Sequence, residues 1–306
     1  MAEQTHRTFE DLVAEGAAVP TEGWDFSWFE GRATEARPSW GYARAAGGRL
    51  ARATAALDIQ TGGGEVLDFA LKTSKTFKTS TSKTLQTSKT TTAPNTTAAP
   101  NTTAAPNTAA PNTAAPGPRP RLLVATEGWA PNLRKASALL SARGVVVVAS
   151  AEDAPLPFAD ESFDLVLSRH PVRAHWTEIA RVLRPGGTYF AQHVGPASVF
   201  ELVEYFLGTQ PEAVRGGRHP DRERAAAEAA GLEVVGLRAE RLRMEFYDIA
   251  AVVHFLRKVV WLVPGFTVEE YEPQLRALNR RIEAEGPFVA YSARHLFDVR
   301  KPERRP

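Results

Sequence analysis

The chain has 306 residues, 43 % of them apolar, which is enough for a large core, and it has no cysteine. That excludes structural disulfides, cysteine-ligated zinc, iron–sulfur clusters and thiolate nucleophiles. The net charge of +2 is unevenly placed: residues 69–120 hold six basic side chains and no acid, leaving the remainder at −4, a mildly acidic body that argues against a nucleic-acid substrate.

The amino-terminal stretch "MAEQTHRTFEDLVAEG" is acidic and lacks the apolar run of a secretory signal. Residues 1–52 read as a helical, aromatic-rich segment. "EGWDFSWFEGRATEARPSWGY" brings Trp24, Phe26, Trp28, Phe29, Trp40 and Tyr42 ahead of the first strand, either as a lid over a site or as packing on a sheet flank. "ATAALDI" (53–59) is a strand that stops at Gly62, Gly63 and Gly64 and restarts at Glu65 as an amphipathic helix. From Thr73 to Pro120 the chain turns to Lys/Thr/Ser triplets and then a Pro-Asn-Thr-Ala unit, with almost no apolar content to offset the entropy of ordering it. We read 73–120 as a disordered insertion, leaving from the end of the first helix on the sheet edge away from any ligand.

With that segment excised the pattern is regular. Strands are expected at 121–126, 145–150, 162–168 and 186–194, with helices at 132–144 and 175–183 between them. Long alternating strands follow at 232–247 and 288–300, separated by a helical stretch from Asp248 to Glu285. Alternating strands and helices predict an α/β fold: a doubly wound, seven-stranded, mainly parallel sheet spanning 53–300, with an antiparallel pair at one edge. Residues 243–286 form a helical cap inserted between the last two strands. "IAAVVHFLRKVVWLVPGF" within it is interrupted by His254, Arg257, Lys258 and Pro264, too often for a membrane span. A cytoplasmic protein without membrane association is the expectation.

The glycine turn then asks for a ligand. A phosphate-binding loop needs Gly-Lys-Ser/Thr, whereas Gly64 is followed by Glu65 and Val66, and Glu65 at the helix start repels phosphate. A dinucleotide fold needs a small residue where this chain has Leu67. A cationic ligand without phosphate suits the acids present. "ALDIQTGGGE", Glu127 at the end of the second strand, "AEDAPLPFADESFDLVLSRH" and "RVLRPGGTYF" stand in order at fitting distances once the insertion is removed. Together they resemble the class I S-adenosylmethionine-dependent methyltransferases of the type-11 group, over about residues 55–194, which also implies a Rossmann-like sheet.

That resemblance implies S-adenosylmethionine as cofactor. Asp58, Gln60, Thr61, Gly62, Gly63 and Gly64 would lie under its methionine and ribose part, and Glu127 would take the ribose hydroxyls. Glu152 or Asp153 would take the adenine amino group beside Ala154, with Leu156 and Phe158 walling the ring. Ser168 closes the site at the end of strand four, while Pro185, Gly186 and Gly187 form a structural turn. The group usually carries glycine where this chain has Gln60, which costs affinity if the position requires positive φ. The acceptor would lie above strands four and five, where His170 and His193 are the base candidates. Trp28, Trp40, Tyr247 and His254 are the candidate substrate contacts. The expected reaction is in-line transfer of a methyl group to an oxygen, nitrogen or carbon nucleophile of a small molecule. The alternatives are an RNA methyltransferase and an inactive S-adenosylmethionine-binding protein. No Asn/Asp-Pro-Pro-Tyr/Phe follows strand four, which argues against amino-group methylation of adenine or glutamine.

Overall fold

The computed structural model describes residues 7–22, 26–73 and 120–304; residues 74–119 of the proposed insertion and Trp24 lie outside them. The core is an eight-stranded sheet in the order β1-β7-β8-β6-β5-β2-β3-β4. Its strands are β1 (Ala33–Glu35), β2 (Ala55–Ile59), β3 (Leu122–Glu127), β4 (Val146–Ala149), β5 (Phe163–Arg169), β6 (Leu183–Val194), β7 (Glu233–Phe246) and β8 (Phe288–Arg300). Strands β4, β3, β2, β5 and β6 run parallel; β8 runs antiparallel between β6 and β7. Seven strands match the expected set. The eighth, β1, is three residues long and pairs antiparallel with β7, Ala33 opposite Phe246.

Two helical layers cover the parallel strands, as their nearly continuous apolar sequence requires. On one face lie α2 (Tyr42–Leu50), α3 (Glu65–Thr73) and α4 (Ala130–Ser141), packed through Leu50, Leu71 and Leu140 onto Ala56, Leu165 and Phe190. On the other lie α5 (Trp176–Val182) and α8 (Pro220–Ala229), packed onto Leu57, Tyr189 and Phe297. Between β6 and α8 run two shorter helices, α6 (Phe200–Leu207) and α7 (Glu212–Arg215). Strand β6 begins earlier than expected. Its pairing with β5 slips between Leu183 and Thr188, so Pro185, Gly186 and Gly187 form an irregularity inside the strand rather than a turn before it.

Strands β7 and β8 overrun the carboxyl end of β6, where Val194 faces Arg294, and continue paired to Phe246 and Phe288. That overhang carries a third cluster, built from α1 (Phe9–Ala18), α9 (Ile249–Lys258) and α10 (Glu272–Glu285). The helical stretch expected from Asp248 to Glu285 is therefore two helices, broken across a segment holding Pro264 and Gly265. Helix α1 starts on a Thr8–Asp11 capping box and crosses α9 at Gly16, where a β-carbon would lie 2.4 Å from the Ala250 carbonyl oxygen. The segment up to residue 52 thus divides: α1 completes the cap, and α2 covers the parallel sheet.

The described residues just after 74–119 lie at the amino-terminal edge of the sheet: Arg121 donates to the Thr54 carbonyl at 2.8 Å, and Leu122 pairs with Ala55. Among the described residues no helix is long and apolar enough to cross a membrane.

Candidate cofactor site and acceptor region

Strand order reverses between β2 and β5, and crevices at such points, outside the carboxyl ends of the strands, bind ligands in open α/β sheets. Here the glycine turn leaves β2. The Thr61 amide donates to the Thr126 carbonyl at 2.9 Å, and the Gln60 amide donates to the Thr126 hydroxyl at 3.2 Å. Gln60 adopts φ +56°, so the position that glycine fills in the resembled group does need the left-handed region here. Gly64, at φ +85°, serves packing as well: a β-carbon there would meet Leu140 of α4 at 3.0 Å.

Glu127, buried at the end of β3, ties the two turns together. Its Oε2 accepts from the Gly62 amide at 2.8 Å and its Oε1 from the Trp129 amide at 2.9 Å. Desolvation raises its pKa, held back by those backbone donors. Asp58, beneath the turn, is pushed up to about 7, mainly by desolvation, with Glu127 adding to the rise. The Thr61 hydroxyl lies close enough to soften that shift without forming a well-aligned bond.

A narrow cleft, open to solvent, lies beside the turn. Gln60, Glu152, Ala154, Leu156 and Ser168 all line it. Asp153 is exposed and does not line it, which favours Glu152 of the two acids; Phe158 stands behind, edge-on to Phe163. The far wall was not foreseen. Pro171, Ala174 and His175 precede or begin α5, and Glu178, Ile179 and Tyr189 close the back. Glu178 also accepts from the Leu156 amide at 2.7 Å, and Arg181 donates to the carbonyls of Leu156 and Phe158 at 2.9 and 2.7 Å. The i, i+3 spacing of Glu178 and Arg181 on one helix was the available signal for this clamp.

The two histidines have separate surroundings. His170, at φ +58°, accepts at Nε2 from the Gln192 side-chain amide at 2.7 Å, because Gln192 Oε1 already accepts from Trp40 Nε1 at 2.7 Å. Desolvation, and then the Arg169 and Arg294 guanidiniums, push the His170 imidazolium well down, so the ring is neutral. His193 lies on the opposite face of the sheet, its Nε2 2.9 Å from the Tyr189 hydroxyl and its Nδ1 bonded to Glu223 of α8.

Trp40 therefore reaches the carboxyl end of β6, but none of the four proposed substrate contacts lines the cleft. His254 is 1 % exposed, stacked on Phe29 and edge-on to Trp28 inside the cap, where desolvation lowers it to about 4. Tyr247 lies on the surface, its hydroxyl donating to Glu245. The helical spacing that grouped Tyr247 with His254 marks a buried helix face, with Tyr247 outside it.

Comparison with known proteins fits this geometry. A family model described as "Methyltransferase domain" matches residues 109–191. Over that stretch the chain is similar to methyltransferase domains. Over 144 residues it is 37 % identical to the malonyl-[acyl-carrier protein] O-methyltransferase of Hahella chejuensis, covering 44 % of this chain and 49 % of that one. Over 112 residues it is 30 % identical to the biotin biosynthesis bifunctional protein BioHC of Teredinibacter turnerae, covering 34 % of this chain and 19 % of that one. The matches thus span about half of the first relative and a fifth of the second. Among solved structures, the YcgJ protein of a Bacillus is similar with a TM-score of 0.46 at 14 % identity, over 85 % of this chain and 99 % of that one.

Proposed function

We propose that this protein binds S-adenosylmethionine in the crevice between β2, β3 and β5 and transfers its methyl group to a small-molecule nucleophile. The observation that supports the reading is the set of acids around the glycine turn, beside a cleft that Glu152 and Glu178 line together with Arg173. Asp58 and Glu127 end adjacent strands, Glu152 lines the cleft beyond β4, and the turn between them offers no lysine. Such a site repels a pyrophosphate and suits a nucleoside bearing a sulfonium and an ammonium. Glu127 would hold the ribose hydroxyls while bracing the turn, Glu152 the adenine amine, and Asp58 the ammonium end. The bound molecule would supply an electrophilic methyl group. The chain's own contribution is to align the acceptor over the ends of β5 and β6 and to keep water out.

Thermal unfolding in the presence of S-adenosylhomocysteine, NADH and ATP tests this. S-adenosylhomocysteine should raise Tm in proportion to the logarithm of its concentration above Kd. Neither phosphate-bearing ligand should do so. Stabilisation by NADH and not by S-adenosylhomocysteine would overturn the reading.

A further inference from the structure

At the back of the cleft, on the sheet face covered by α5 and α8, three polar side chains form a chain to which the cofactor reading gives no role. Tyr189 pairs in register with Val166, and Ala191 with Ser168, so Ser168, Tyr189 and His193 share one face of β5 and β6. Ser168 and Tyr189 both line the cleft. The Tyr189 hydroxyl lies 2.9 Å from His193 Nε2, and His193 Nδ1 is bonded to Glu223 of α8. The surroundings are aromatic and apolar: the His193 ring centroid stands 4.7 Å from that of Phe297 and 5.9 Å from that of Trp176. Three buried polar groups in such a place cost stability that apolar side chains of similar volume would not.

The chain runs in one direction. As a carboxylate Glu223 can only accept, so in the neutral ring of His193 the proton sits on Nδ1 and the lone pair on Nε2. The Tyr189 hydroxyl therefore donates to Nε2. Desolvation, and then the Glu223 charge, hold that phenol well above its ordinary range, so it keeps the proton it shares. His295 faces His193 across the β6–β8 pair, but its Nδ1 is without a partner and leaves the chain undisturbed. Ser168 commits its own proton to the Ile59 carbonyl, 3.1 Å away. Both hydroxyls of this wall are left with lone pairs alone. Arg173 and His175 also line the cleft, but the first is exposed and the second half-buried, outside the buried wall.

We infer that Tyr189, positioned by His193 and Glu223, is a specificity residue: the wall it forms with Ser168 accepts a hydrogen bond from the amino group of adenine and rejects the oxo group of hypoxanthine. Glu152 lines the same cleft, so a base held there meets acceptors from two sides. An amino group has two protons to give. An oxo group would set lone pair against lone pair and leave the wall unpaired.

The inference rests on the methyltransferase reading, and one set of titrations separates the two. Wild-type protein would be titrated calorimetrically with S-adenosylhomocysteine and with S-inosylhomocysteine, its oxo counterpart. The adenosyl ligand should bind about tenfold tighter or more. In Tyr189→Phe that ratio should fall by about fivefold or more, and likewise in Glu223→Ala, which frees the His193 tautomer. A merely structural role would lower both affinities together and leave the ratio unmoved. NMR of wild-type protein carrying nitrogen-labelled histidine should show His193 protonated at Nδ1 alone at neutral pH. Equal binding of the two ligands to wild type, an unchanged ratio in either variant, or a proton on His193 Nε2 would overturn the inference. No binding of S-adenosylhomocysteine to folded wild-type protein would remove the reading beneath it, and this inference with it.

Discussion

Asp58 is a buried acid whose protonation the ligand should control. Its pKa near 7 in the folded chain stands above its ordinary value of 3.8. Between pH 4 and 7 the folded state therefore holds a proton that the unfolded chain has lost, so stability falls as pH rises through that window. The full cost is on the order of 4 kcal/mol. An ammonium beside Asp58 would draw the pKa back down and expel the proton. S-adenosylhomocysteine affinity should thus weaken by up to about tenfold per pH unit below 7 and level off above it. Asp58→Asn should flatten both profiles; a wild-type affinity indifferent to pH from 5.5 to 8 would place the ammonium elsewhere. Gln60 carries the other residue-scale test. It holds a left-handed φ at a cost of about 1 kcal/mol, which Gln60→Gly should relieve, raising Tm by a few degrees. A fall in Tm would show that the Gln60 side chain repays its strain through contacts. Gly64→Ala should do the opposite, because it meets both φ +85° and Leu140.

At the scale of elements, the cleft wall depends on α5 more than on the loop it holds. Arg181 joins Glu178, Asp160 and two loop carbonyls, so the segment 156–160 borrows its order from the helix. Arg181→Ala should cost about 1–3 kcal/mol of stability and weaken nucleoside binding, as loss of several hydrogen bonds implies. Urea unfolding together with S-adenosylhomocysteine titration would check both. Unchanged affinity would show that the loop holds its shape alone. The parallel strands were readable because double-sided burial writes continuous apolar runs such as "VVVVAS". The glycine turn and Glu127 were readable as the points where the apolar runs of β2 and β3 stop. Strand β1 was not, since three residues at a sheet edge, two of them exposed, leave no periodic signal. Tyr189 was hidden for a related reason: it is read as a core residue from its strand, and only tertiary packing turns it toward the cleft. His254 misled because a buried helix face has the same spacing as a site-facing one.

For the whole molecule, the arrangement separates three tasks. The parallel half builds the crevice at its carboxyl edge. The overhang of β7 and β8 with α1, α9 and α10 stands on that same side, beyond the end of β6. The described ends flanking residues 74–119 meet the opposite edge. Replacing 74–119 by a short Gly/Ser linker should therefore leave S-adenosylhomocysteine affinity within about threefold of wild type, since loop length alters closure entropy only slowly. A larger loss, seen by calorimetry on the shortened protein, would tie that segment to the site.

The most direct test of the account is isothermal titration of the wild-type protein with S-adenosylmethionine and S-adenosylhomocysteine, repeated on Glu127→Ala. The account expects micromolar, one-to-one binding of both ligands. Glu127→Ala should lose most of it, because that variant removes the ribose acceptor and the brace on the Gly62 turn together. No heat of binding to folded wild-type protein, or full affinity in Glu127→Ala, would contradict it.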